Sequence, residues 1–208
     1  MNNKKDTDFP NRQSIRLKGY DYSQQGLYFI TICCQDRVHL FGEVIQGEMV
    51  LNDAGKMIAK WYQELENKYP DKICHQMVVM PNHFHCIIEN VRDNNNNVSD
   101  NTNNVSGDHV GMSLRGHPIR GFPEPVTYGM ENKIYNATIG DAIGWFKTMT
   151  TNAYIHGVKT QNWKRFNKRL WQRNYWEHII RNEQSFDRIS VYIADNPKNW
   201  KADKLLTD

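Results

Sequence analysis

Residues 73–90 read ICHQMVVMPNHFHCIIEN. Two runs rich in Val, Ile and Met are divided by Pro81-Asn82, a pair that interrupts regular structure and favours a tight corner. Strands on either side of such a corner form a hairpin, and a hairpin sets an antiparallel sheet. The second run carries His83 and His85. Successive side chains alternate faces along a strand, so these two imidazoles project together while Phe84 and Cys86 project the other way. Two imidazoles on one face make half of a divalent-metal site; the alternative is a pair of polar residues on a solvated face. The spacing does not choose the metal. Zinc fits, with Cys74, His75 or His178 as a distant third ligand. So does Mg²⁺ or Mn²⁺ held by two His, an amide and a substrate phosphate.

Working outward, Gly26–Cys34 (GLYFITICC) is a β-branched and aromatic run and reads as a strand. Residues 43–51 (EVIQGEMVL) read as a short hairpin turning at Gln46-Gly47. Ala54, Ile58, Trp61, Tyr62 and Leu65 recur at helical spacing from Asp53 to about Lys68, with Asn52 or Asp53 able to cap the start. The texture then changes. Residues 92–133 are Asn-rich, then Gly- and Pro-rich, without a sustained period, and cannot bury enough apolar surface to offset ordering. They read as an inserted loop, mobile in its Asn-rich part. Ile139, Ile143, Phe146, Met149 and Ala153 form a second helical stripe with Gly157 as its stop. A last helix, Glu183 to Asp195, is capped by Asn182 and ended by Asn196-Pro197. This mixture of hairpins and helices predicts an α+β fold, an antiparallel sheet with packed helices. The expected organisation is a polar N-terminal tail (1–19), one domain over 20–200 interrupted at 92–133, and a C-terminal tail (201–208).

The 208 residues are 39 % hydrophobic, enough for a core, and no apolar run approaches membrane-spanning length. The polar N-terminus lacks a signal-peptide apolar region, so a cytoplasmic protein without membrane contact is expected. The four cysteines show no zinc-ribbon spacing and read as buried free thiols.

Net charge is only +3, but its distribution is uneven. Between Gly157 and Arg181, Lys159, Lys164, Arg165, Lys168, Arg169, Arg173 and Arg181 face one acid, Glu177. Trp163, Phe166, Trp171, Tyr175 and Trp176 are interleaved with them. Cations neutralise phosphates and aromatic faces stack on unpaired bases, so the run suits single-stranded nucleic acid; a solvated basic face with core aromatics accounts for it equally. In the last helix Phe186, Ile189 and Ile193 form the apolar stripe. At ~100° per residue Tyr192 falls on the stripe's edge, with Asn196 one turn on. The pair could aim a hydroxyl and a carboxamide into a cleft. By itself, though, the pattern favours an ordinary edge tyrosine and a helix terminator.

Taken in order, MPNHFH, FKTMTT, LWQRNYWEHIIRNEQSF and YIADNP resemble the single-tyrosine HUH transposases, and in particular the REP-associated tyrosine transposases. The resemblance runs from about Tyr20 to Trp200, broken by the insert. It implies a ferredoxin-like α+β core, Mg²⁺ or Mn²⁺ bound by His83 and His85, Tyr192 as nucleophile, and Asn196 as a further metal ligand. It also implies single-stranded or hairpin DNA as partner, cleaved and rejoined through a 5′-phosphotyrosine link. Relatives act as dimers or as monomers, so a homodimer is one expectation. Glu177 and His178 match a family-like context as accessory residues; Glu177 could equally pair with Arg173 or Arg181. Tyr175 and Tyr154 are rival nucleophiles. Two other functions fit the residues: a non-catalytic hairpin-binding protein on the same scaffold, and a zinc-dependent hydrolase using His83, His85 and a cysteine.

Overall fold

The computed structural model describes residues 19–91 and 133–206. The expected insert (92–133) lies outside them except for Lys133, and the expected N-terminal tail except for Gly19. The first strand, β1 (Gly26–Cys33), is followed by a hairpin of β2 (Gly42–Ile45) and β3 (Glu48–Leu51) and by helix α1 (Asp53–Lys68). Strands β4 (Lys72–Val79) and β5 (His83–Asn90), helix α2 (Ile139–Thr160), strand β6 (Trp176–Ile180) and helix α3 (Glu183–Asp195) complete the order.

The main sheet runs β4-β5-β1-β6 with every neighbour antiparallel. Leaving aside the small β2-β3 hairpin, β1-α1-β4-β5-α2-β6 is the split βαβ-βαβ pattern, so the fold is ferredoxin-like α+β, as expected. β6 was not expected: its alternation of exposed and partly covered residues was masked by the surrounding charges.

Local signals explain most boundaries. Gln46 (φ 53°) and Gly47 (φ 83°) occupy the two positive-φ positions of the β2-β3 turn. Asn52 caps α1 by accepting from Gly55 N at 2.9 Å, and Asn182 caps α3 by accepting from Ser185 N at 2.8 Å. Thr138 and Asp141 form a reciprocal capping box on α2.

The two faces of the sheet bury different things. Tyr28, Ile30, Ile32, Phe84, Cys86 and Ile88 pack with α1 and α2 residues in the main core. The opposite face, with Ile87 and Ile180, packs Ile189 and Ile193 of α3. In α2 the buried stripe is Ile139, Ile143, Phe146, Thr150, Tyr154 and Gly157, so it passes through Thr150 and Tyr154 rather than Met149 and Ala153. Thr150 is tolerated because its hydroxyl donates to Phe146 O at 2.7 Å and accepts from Trp171 Nε1 at 2.9 Å.

Gly157 does not end α2, which continues to Thr160. Its role is close approach: a Cβ there would overlap the ring of Trp163. Gly157→Ala should therefore lose about 1–3 kcal/mol of stability through overpacking, although alanine favours a helix by roughly 1 kcal/mol. A urea midpoint at or above that of the wild type would show that the Trp163 ring simply moves aside.

Candidate active site

Pro81-Asn82 is fastened at the end of the sheet. Leu40 N and Phe41 N donate to Pro81 O, and Cys34 N donates to Asn82 O. This fixes the first residues of β5, where His83 faces Cys33 and His85 faces Thr31 across the ladder. Both imidazoles point to the α3 side of the sheet, 4.5 Å apart between ring centroids, and both are buried.

Each ring is held through Nδ1. His83 Nδ1 lies 2.8 Å from Asn82 Oδ1, and His85 Nδ1 lies 2.8 Å from Thr31 Oγ1. The Asn82 carboxamide is itself oriented, because its Nδ2 donates to the carbonyls of Arg37 at 3.1 Å and Leu205 at 2.8 Å. Its Oδ1 is then an acceptor, so His83 carries its proton on Nδ1 and keeps a lone pair on Nε2. The Nε2 atoms of His83 and His85 are buried and have no hydrogen-bond partner among the described residues; neither has the Oδ1 of buried Asn196. An unsatisfied buried polar atom costs about 1–3 kcal/mol, so three in one place call for a ligand. Two imidazole nitrogens and an amide oxygen are a donor set that divalent ions accept. The residues present thus fit a metal ion.

The electrostatics point the same way. Burial drives the His83 pKa down to about 4, aided by Arg37 and opposed by Asp203 and Asn196. Burial, and then the neighbouring His83, holds His85 well below the usual histidine range. Both rings are neutral at pH 7, the form that binds metals.

Tyr192 lies at the edge of α3, with its ring centroid 5.4 Å from His85 and 5.9 Å from Phe29. It remains 46 % exposed, so the side chain is only partly covered. Partial burial and then the charge of Asp203 raise its pKa, and Asn196 opposes them. The Asn196 side chain thus acts on both His83 and Tyr192, although its Oδ1 makes no well-formed hydrogen bond. The fold brings Tyr192, His83, His85 and Asn196 together.

Four other participants had not been singled out in the sequence. Asn82 and Thr31 orient the imidazoles. Trp200 packs over His83 with ring centroids 5.8 Å apart, and Asp203 Oδ2 stands 3.7 Å from His83 Nε2. Residues 203–206 thus do not behave as the expected tail. Trp200 anchors the segment, and the carbonyls of Lys204 and Leu205 accept from Arg37 and Asn82. Only the Asn next to H-x-H carried any signal. Thr31 depends on strand register, and Asp203 on a chain reversal after α3.

The basic run divides. Lys164 and Arg165 are exposed. Lys168, Arg169 and Arg173 are also exposed and, with Lys147, line a groove of about 540 Å³ against α2. The exposed Arg181 directly follows β6 and does not line that groove. Trp171 corrects the expectation of a DNA-stacking residue: it is 3 % exposed, packs against Phe41 and donates to Thr150, so its faces are unavailable to a base. Glu177 faces the main core opposite Ile30 and forms no ion pair with Arg173 or Arg181. His178, opposite Phe29, shares the face of the two histidines.

The rival tyrosines are used otherwise. Tyr154 is fully buried and donates to Lys164 O at 2.9 Å. Tyr175 packs against the main core, on the face away from His83 and His85. The zinc alternative loses its cysteine and His75 ligands on geometry. Cys74 and Cys86 belong to the main-core side, and His75 pairs with Glu89 at 2.9 Å. Among the described residues no group of three His, Cys, Asp or Glu side chains could hold a metal.

No family model matches the chain. A Haemophilus influenzae protein described as uncharacterized is 35 % identical over 211 residues, covering the whole of both chains. Among solved structures, a REP-associated tyrosine transposase bound to a REP hairpin matches with a TM-score of 0.51 and 17 % identity, over 92 % of this chain and 77 % of that one. The first similarity extends end to end and the second concerns the fold alone: the chain belongs to one family with the Haemophilus influenzae protein and has a transposase-like fold.

Proposed function

We propose that the protein cleaves and rejoins single-stranded DNA through Tyr192, with Mg²⁺ or Mn²⁺ held by His83, His85 and Asn196. The observation that carries this reading is the meeting of three buried, unpartnered donor atoms with one partly covered tyrosine. A bound divalent ion would polarise the scissile phosphate and offset its developing charge. Neutral ligands suit that task, because they leave the ion's positive charge undiminished.

The step is a transesterification. Tyr192 Oη attacks phosphorus, the bond to the 3′ oxygen breaks, and the products are a 5′-phosphotyrosine and a free 3′-OH. The phenol proton is lost and the departing oxygen gains one, so no redox partner is needed. One phosphodiester replaces another, and the 3′-OH can reverse the reaction. Since its surroundings raise the Tyr192 pKa, the hydroxyl is protonated at neutral pH and needs activation in place.

Hairpin DNA is the proposed partner. The related transposase structure holds a REP hairpin, and the groove lined by Lys147, Lys168, Arg169 and Arg173 supplies cations for a phosphate backbone. Lys147 also fastens the groove wall, because its Nζ donates to Gln172 O at 2.7 Å and Arg173 O at 2.9 Å.

The test uses both separated, end-labelled strands of the DNA flanking the gene, with Mn²⁺ or Mg²⁺. A denaturant-resistant protein–DNA adduct on one strand, abolished by chelator, is expected. Tight hairpin binding with no adduct on either strand would instead leave a binding protein. The orienting role of Asn82 gives a separate expectation. Asn82→Ala should weaken Mn²⁺ binding about 10–100-fold by calorimetric titration, as loss of a group supporting a ligand does elsewhere. Unchanged affinity would remove Asn82 from the site.

A further inference from the structure

Helix α3 packs chiefly over β4 and β5 on its side of the sheet and reaches Leu27 and Phe29 of β1 and Ile180 of β6, but it leaves the Trp176 end of β6 exposed. β6 is the edge strand, with no strand beyond it among the described residues. On the same face, and exposed, lie Trp176, opposite Thr31, and His178, opposite Phe29. Thr31 is the residue bonded to His85, and Phe29 is the residue touching both His85 and Tyr192. His85, Thr31 and Trp176 therefore form one row across three adjacent strands. At ~4.8 Å per strand, Trp176 stands roughly 10 Å from the His85 backbone, two strands across from the site.

All six tryptophans of the chain are described, and the other five are buried or partly buried; Trp176 alone is exposed, at 60 %. Among the described residues no ring contact or side-chain hydrogen bond holds it. A lone exposed aromatic needs no explanation, but this one continues the floor of the site through Phe29 and His178 and lies on a strand bracketed by Arg173 and Arg181, both exposed. An indole face between cations has the chemistry of a stacking platform for an unpaired base.

We infer that the β6 edge is the subsite for the nucleotide next to the scissile phosphate, with its base stacked on Trp176. This rests on the reading of Tyr192 as a nucleophile toward single-stranded DNA. Trp176 positions the strand and takes no part in bond making. The sequence run WEH hid the role, because Glu177 between the two turns to the other face.

The test separates this inference from that reading by measuring binding without cleavage. Fluorescein-labelled dT10, and a ten-unit chain of abasic sites with the same phosphates, are titrated with wild type, Trp176→Ala and Trp176→Phe in the full-length chain. Trp176→Ala should weaken dT10 binding about 5- to 150-fold, the range of one base–aromatic stack. Trp176→Phe should recover most of it, and the abasic chain should not distinguish the three proteins. Equal dT10 affinity for wild type and Trp176→Ala would overturn the inference, as would an equal loss on the abasic chain. Either result stands whether or not an adduct forms at Tyr192. Conversely, absence of the adduct alongside the expected stacking loss would count against the nucleophile and leave the subsite in place.

Discussion

Tyr192→Phe should abolish the covalent protein–DNA adduct, with strand cleavage at least about 10³-fold slower, while the fold and hairpin affinity stay unchanged. The substitution removes one oxygen and keeps the ring contacts with His85 and Phe29. A nucleophile has no partial substitute, so a loss far beyond that of a positioning residue follows. Stability should move by less than about 0.5 kcal/mol, since the hydroxyl is on a half-exposed side chain. Gel retention after denaturation, with mass spectrometry of the adduct, decides the matter. An adduct that persists in the variant would transfer the nucleophile elsewhere. Neither Tyr154, fully buried, nor Tyr175, on the opposite face, is then a simple replacement.

The metal-free protein should lose stability as pH falls from about 6.5 to about 4. The sign follows from proton counting. In that window an unfolded chain protonates its histidines, whereas folded His83, with its pKa near 4, does not. Stability therefore rises with pH across the window, is complete above the unfolded pKa, and is lost on acidification. His83 alone accounts for roughly 3 kcal/mol, and His85, shifted in the same direction, adds to it. Against a typical total of about 5–15 kcal/mol that is a large share. Urea midpoints at pH 7.5 and pH 5 measure it. His85→Leu should reduce the dependence to the share of His83 and abolish Mn²⁺ binding. For the wild type at pH 7.5, Mn²⁺ at 100 times its Kd should add about 2.7 kcal/mol. A midpoint that follows pH but ignores Mn²⁺ would mean that the two imidazoles are ordinary core residues, and one indifferent to pH as well would overturn their neutral burial.

The two expectations are linked by one feature. A buried pair of neutral imidazoles with idle Nε2 atoms costs stability and is the feature on which the proposed metal site rests. The same burial that makes the pair sensitive to acid would, under the proposed function, strengthen the action of a bound metal charge on a phosphate. No helix among the described residues is long and apolar enough to cross a membrane.

The sequence by itself determined the elements that depend on nearest neighbours. Period-two alternation in 83–90 placed His83 and His85 on one face, and Asn52 and Asn182 marked helix starts that the structure repeats. The α+β architecture followed from that order, and the resemblance added the ferredoxin-like topology and the Tyr192–Asn196 pair. Tertiary structure alone decided what depends on partners distant in the chain. Thr31 meets His85 across 54 residues, and Asn82 meets Leu205 across 123. No local pattern encodes such contacts, because strand register and chain reversal bring them about. The basic-aromatic run shows the same limit. Composition alone could not separate Trp171, enclosed by Phe41 and Phe146, from Trp176, left open on an edge strand. Which face of a strand meets a helix, and which meets solvent, is settled only when the layers pack.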